Sequence, residues 1–136
     1  MLKKSTIVAL SFAQISVLAF ASQIQAKPSQ EIAQRRVDCR NANSTPEINY
    51  CAAESYKAAD RRLNEVYRQL SSTLRGEQKS KLIDAQETWI QYRDRNCSFE
   101  TFGFRGGTGY SAFLMGCLER MTTQRTEDFQ RFMRER

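Results

Sequence analysis

The chain has 136 residues, enough for one domain and too few for two substantial cores, with 21 Lys and Arg against 15 Asp and Glu and no histidine. Without an imidazole there is no Ser-His-Asp or Cys-His catalytic set, no histidine metal ligand and no histidine pH switch. The formal charge of +6 permits an anionic partner, while an apolar content of 40% arranged in periodic segments excludes disorder as the main state.

In chain order, the first element is a leader. Lys3 and Lys4 precede a nearly uninterrupted apolar run from Ile7 to Ala21, and small residues follow, which is the layout of a secretory signal peptide. Cleavage fits after Ala21 or after Ala26; Ala26 is favoured because polar, Pro-containing sequence follows at once. The run is shorter than the about 20 residues needed to span a bilayer, so no stable membrane anchor is expected after cleavage. No Cys lies near the cleavage region to carry a lipid. The expected organisation is a signal peptide over 1–26 and one helical domain over 27–136, exported to the periplasm or medium. Loss of Lys3 and Lys4 lowers the net charge from +6 to +4.

A short helix is expected around Ser29 to Val37. Ser44-Thr45-Pro46-Glu47 then supplies a helix start: Ser44 or Thr45 can cap, Pro46 suits the first turn, and Glu47 complements the helix dipole. Ile48, Ala52, Ser55, Ala59, Leu63, Val66, Leu70 and Leu74 follow at three- and four-residue steps, which predicts one amphipathic helix over roughly 46 to 74, ended by Gly76. A second helix is predicted over about 77 to 97, with Leu82, Ile83, Gln86, Trp89, Ile90, Arg93 and Cys97 on one broad face. Four glycines between Gly103 and Tyr110 interrupt helix formation. A third helix is predicted from about Ser111 to Met133, with Phe113, Leu114, Cys117, Leu118, Met121, Phe129, Phe132 and Met133 apolar. The fold class is all-α: three long helices, with a short N-terminal fourth, stapled by two disulfides at one end.

The few residues linking the first two long helices predict antiparallel neighbours in a helical hairpin. Cys51, Cys97 and Cys117 then meet at one end, with Cys39 just upstream. Four cysteines in an exported chain point to two disulfides; spacings of 12, 46 and 20 without a Cys-x-x-Cys pair disfavour zinc. All three pairings are geometrically conceivable, and the local ones, Cys39 with Cys51 and Cys97 with Cys117, are favoured because each closes a short connection. No metal or cofactor is expected.

The run Asp38-Cys39-Arg40-Asn41-Ala42, followed by Ser44-Thr45-Pro46-Glu47-Ile48-Asn49-Tyr50-Cys51-Ala52 and by Ala59-Asp60, Leu63-Asn64 and Tyr67, resembles the start of LprI-type lysozyme-inhibitor-like domains. The resemblance continues through Ala85-Gln86, Trp89-Ile90, Tyr92-Arg93-Asp94, Cys97, Gly106-Gly107-Thr108-Gly109, Cys117-Leu118 and Arg125, over nearly the whole chain after the leader. It implies a small exported helical protein with disulfides and, from the name-giving member, inhibition of lysozyme. This chain departs from that member in lacking a lipidation cysteine, and no further domain is expected.

Two groups of side chains are candidates for function. Asp60, Asn64, Gln86, Trp89, Arg93 and Asp94 lie on or beside apolar stripes, where polar groups need partners. They form either a buried structural network, with Arg93 paired to Asp60 or Asp94 and Trp89 packed alongside, or a polar ligand cleft. Trp89 and Arg93 stand at a spacing that permits a cation–π contact. Between Cys97 and Cys117, Phe99, Phe102, Phe104, Arg105 and Tyr110 are candidates for binding a protein partner, because aromatic and Arg side chains anchor interfaces; otherwise the rings cap the bundle core. No Gly-Lys-Ser/Thr follows the glycines, so they form no phosphate loop. Arg35-Arg36, Arg61-Arg62 and Lys79 with Lys81 read as solvated faces, and export disfavours a nucleic-acid partner. No acidic pair lies in a recognisable catalytic setting, so the expected function is non-enzymatic: an inhibitor of a lysozyme-type muramidase or an envelope adaptor for another exported protein or an anionic surface polymer. A positive protein gains no long-range steering toward a basic lysozyme, so such a complex needs local acidic patches on the enzyme.

Overall fold

The computed structural model describes residues 37–136. The leader, both cleavage positions and the short helix from Ser29, apart from its last residue, lie outside these residues. The described chain forms three long helices: α1 (Thr45–Thr73), α2 (Gly76–Glu100) and α3 (Tyr110–Arg134), with a short 3-10 turn at Phe102–Phe104. No strand occurs among the described residues.

Ser44 is the residue that caps α1, and its backbone N–H donates to the Glu47 carboxylate at 3.2 Å, while Pro46 occupies the first turn. The helix stops at Thr73, and the extended pair Leu74 and Arg75 carries the chain to Gly76. Gly76 therefore begins α2 instead of merely ending α1, with a φ of +53° that a residue with a side chain rarely adopts.

Asn49 near the start of α1 bonds to the loop and first turn of α3, and Arg136 at the chain end bonds to Thr73 at the end of α1, so α1 and α3 run parallel. α2 runs antiparallel to both, as the contacts of Arg93 with Asp60 and Thr122 and of Gln86 with Arg125 require. The directions match the expected up-down-up arrangement, but the nearest neighbours differ. The backbones of α1 and α3 pack most closely, whereas α2 approaches α3 less and α1 least. Side-chain size gives the reason. Small residues face each other across the α1–α3 contact, where Ala59 and Thr126 share a cleft wall and Thr122 and Thr126 are buried. The bulk of Leu82, Trp89 and Arg93 holds α2 farther out, within helix packing distances that depend on the residues between the axes.

The core has two parts. Leu63, Val66, Leu70, Leu74 and Phe129 form the larger one, flanked by Tyr67, Leu82, Trp89 and Met133. Each fully buried aliphatic or aromatic side chain contributes about 1.5–3 kcal/mol. Cys97, Cys117 and Leu118 form a smaller one, beside Tyr56, Leu114, Met115 and Met121. Ile48, Ile83, Ile90, Phe113 and Phe132, which share the predicted apolar stripes, are exposed instead. With only three helices, a stripe wider than the line of contact leaves its margins in solvent.

Both disulfides follow the local pairing: Cys39 with Cys51 and Cys97 with Cys117, with Cα separations of 5.5 and 5.6 Å. All four thiols are consumed, which leaves no thiolate to hold zinc. Among the described residues no helix is long and apolar enough to cross a membrane, and no cluster of three acidic or thiol groups suits a metal.

Candidate functional site

The first candidate group converges around Arg93, which is only 7% exposed and reaches all three helices. Its Nε and Nη2 donate to Asp94 Oδ1 at 2.9 and 2.8 Å, and Nη1 reaches Thr122 Oγ1 on α3 at 3.3 Å and Asp60 Oδ1 on α1 at 3.9 Å. The guanidinium lies over Trp89 at 5.2 Å and Tyr56 at 5.6 Å. Asn64 joins through Asp60, donating to Oδ2 at 3.0 Å. Burial pushes the Tyr56 phenol up from its ordinary value, against the opposing pull of Arg93. Among the described residues no buried side-chain nitrogen or oxygen lacks a partner. The group is thus a brace between the three helices, with Arg93 withdrawn from solvent and Asp60 and Asp94 partly exposed beside it.

Gln86 does not join this brace. Its Oε1 accepts from Arg125 Nε at 3.2 Å, and the Arg125 guanidinium lies 5.6 Å over Trp89 and 4.4 Å over Phe129. Burial lowers the affinity of Arg125 for its proton, with Asp128 acting the other way, although an arginine retains its charge at any ordinary pH. Thr122, Tyr56 and Arg125 were not part of the predicted network. Helical periodicity gives a polar residue on a buried face, but not which residue it meets across two other helices.

The second group sits at the disulfide end. Phe99 is 82% exposed and Phe102 63% exposed; neither folds into the core. Phe104 is partly covered because it stacks on Phe113, with ring centroids 4.0 Å apart and planes 16° from parallel. Arg105 lies 4.8 Å over Phe102 and donates to Ser98 Oγ at 2.9 Å, with no carboxylate partner among the described residues. Tyr110, at the start of α3, is half-buried. Phe113 was missed as a surface ring because its position in α3 fits the core stripe.

This end is fixed, not loose. The Cys97–Cys117 bridge joins its two flanks, and the Glu100–Arg120 ion pair at 2.8 Å runs alongside. Asn49 pins the glycine segment from α1, with Nδ2 donating to the Thr108 carbonyl at 2.8 Å and Oδ1 accepting the Ala112 N–H at 3.0 Å. Gly106 makes the turn at a φ of +82°, in the region that favours glycine. A rigid display of exposed rings beside Arg105, which has no ion pair among the described residues, has the composition of an interface anchor.

The family model for lysozyme inhibitor LprI matches residues 38–129, from the residue before the first cysteine to the last core aromatic. The chain belongs to the LprI family. A protein of Rhizobium meliloti (strain 1021), called uncharacterized protein R02472, is 34% identical over 109 residues, covering 71% of this chain and 78% of the relative. No solved structure matches the chain. The LprI match includes both disulfides, the Arg93 brace and the aromatic end, so all of these lie within the family domain.

Proposed function

We propose that the protein is an exported, non-enzymatic inhibitor of lysozyme-type muramidases that meets its target with the disulfide end of the bundle. Membership of the LprI family supports the target class. The observation that carries the assignment of the face is the exposure of Phe99 and Phe102 on a segment held by a disulfide and by Asn49. Rings left in water on a rigid support lose little freedom on binding and gain by desolvation. Arg105, with no carboxylate partner among the described residues, supplies a charge for the acidic cleft of an enzyme that works with paired carboxylates. Export supplies the oxidising compartment that the two disulfides need.

A lysis assay with purified protein against several lysozyme classes tests the reading. Inhibition at micromolar protein is expected for at least one class, and loss of that inhibition on Phe99→Ser with Phe102→Ser locates it at this face. No inhibition of any class at micromolar excess overturns the function; undiminished inhibition by the double variant overturns the face.

A further inference from the structure

A groove follows the seam of α2 and α3 and opens, at the end away from the disulfides, into a cleft of about 350 Å³ walled by Leu70, Leu74, Leu82, Phe129 and Phe132. A second, more polar hollow continues it past Trp89 and Tyr92, and Arg125 and Asp128 border both. The cleft is at the small end of the range for ligand sites, with the usual apolar lining.

Several charges around it have ion-pair partners. Lys81 pairs with Glu77 at 3.2 Å, Arg120 with Glu100 at 2.8 Å, and Asp128 with Arg131 at 3.4 Å. Arg125 has no ion pair among the described residues, although the nearby Asp128, itself paired with Arg131, favours its charge; its Nε is held by Gln86, its faces lie against Trp89 and Phe129, and its two terminal nitrogens have no acceptor among the described residues. The guanidinium is thus fixed in orientation and partly withdrawn from water at the head of an apolar trough, with the Asp128 carboxylate shared with Arg131 and the guanidinium's terminal nitrogens open to an acceptor. An anion there gains a charge-assisted, two-pronged hydrogen bond in a medium less polar than water. An uncharged group leaves the cation as it is, and a second cation is repelled.

We propose that this cleft binds a single-chain amphiphile with an anionic head, the carboxylate on the terminal nitrogens of Arg125 and the hydrocarbon chain between Leu74, Leu82, Phe129 and Phe132. The site is independent of the aromatic end and of muramidase inhibition.

Trp89 provides the readout, because it is the chain's single tryptophan and stacks on Arg125. Its fluorescence is followed while purified protein is titrated with dodecanoate below micelle formation, and in parallel with dodecyl maltoside and dodecyltrimethylammonium. Saturable binding of dodecanoate is expected, at least about tenfold tighter than either comparator; Arg125→Met removes that preference and Arg125→Lys retains part of it. Phe132→Asp, on the exposed wall, puts a negative charge at the mouth without touching the buried core, and about tenfold weaker dodecanoate binding is expected with an unchanged melting temperature. No saturable change with dodecanoate, equal binding of the three head groups, or undiminished binding by folded Arg125→Met overturns the proposal. If Arg125→Met fails to fold by circular dichroism, undiminished binding by Phe132→Asp overturns it as well.

Discussion

At the Cys97 end of the bundle, covalent and polar ties hold the helices while Phe99 and Phe102 stay in water. At the other end no disulfide is present among the described residues, and Leu63, Val66, Leu70, Leu74 and Phe129 are withdrawn from solvent instead. The two ends reach the same result, three helices held in register, by different physics. A disulfide lowers the entropy of the unfolded chain and so relieves nearby apolar groups of the task of making a core. Where that tie is absent, burial of large side chains such as Leu70 and Phe129 holds the helices instead.

The contrast can be tested by weakening each end in turn. Leu70→Ala is expected to cost about 2–5 kcal/mol, read from the midpoint of guanidinium unfolding, because a fully buried side chain is removed from a core with no covalent support. Replacing Cys97 and Cys117 with Ala opens a 20-residue connection and is expected to cost about 3 kcal/mol by the same measurement, with weaker muramidase inhibition as the ring display loosens. Between the two ends, Arg93→Met is expected to lower stability by about 2 kcal/mol, less than for a fully enclosed ion pair because Asp60 and Asp94 reach solvent. Its inhibition of muramidase is expected to remain at the parent level; a selective loss of inhibition would make the brace part of the binding face.

Phe99→Ser with Phe102→Ser is expected to change stability by no more than about 0.5 kcal/mol while weakening inhibition at least about tenfold. A large fall in melting temperature would instead show that these rings do serve the core. The smallest expected effect is at Asp38. The Arg40 backbone N–H and the Asn41 side chain hold its carboxyl below the usual carboxylate range in the turn beside Cys39. A lowered folded-state pKa contributes stability above the ordinary carboxylate value, and this is lost as pH falls through the folded value. Asp38→Asn should therefore reduce the acid sensitivity of unfolding below about pH 4, followed by circular dichroism.

Much of this architecture was legible in the chain. The capping signal at Ser44, the apolar steps from Leu63 to Leu74 and the glycine-rich break after Phe102 marked the helices to within a few residues, because caps, periodicity and breakers act locally. Local loop closure likewise favoured the observed cysteine pairs. At the candidate sites, Arg93 meets Asp60, Asp94 and Trp89, residues singled out together from the sequence, whereas Gln86 bonds to Arg125 and not to Arg93.

The sequence by itself determined an all-α chain and favoured two local disulfides, since helix signals and short loop closures depend on residues close together along the backbone. Only the tertiary structure decided that α1 lies nearest α3 and that Ile83, Ile90 and Phe113 fall outside the core. It also decided that Arg125 is held between Gln86, Trp89 and Phe129 at an apolar cleft. These depend on the bulk of side chains facing each other across helices far apart in sequence, and a helical period specifies a face without specifying what that face will meet.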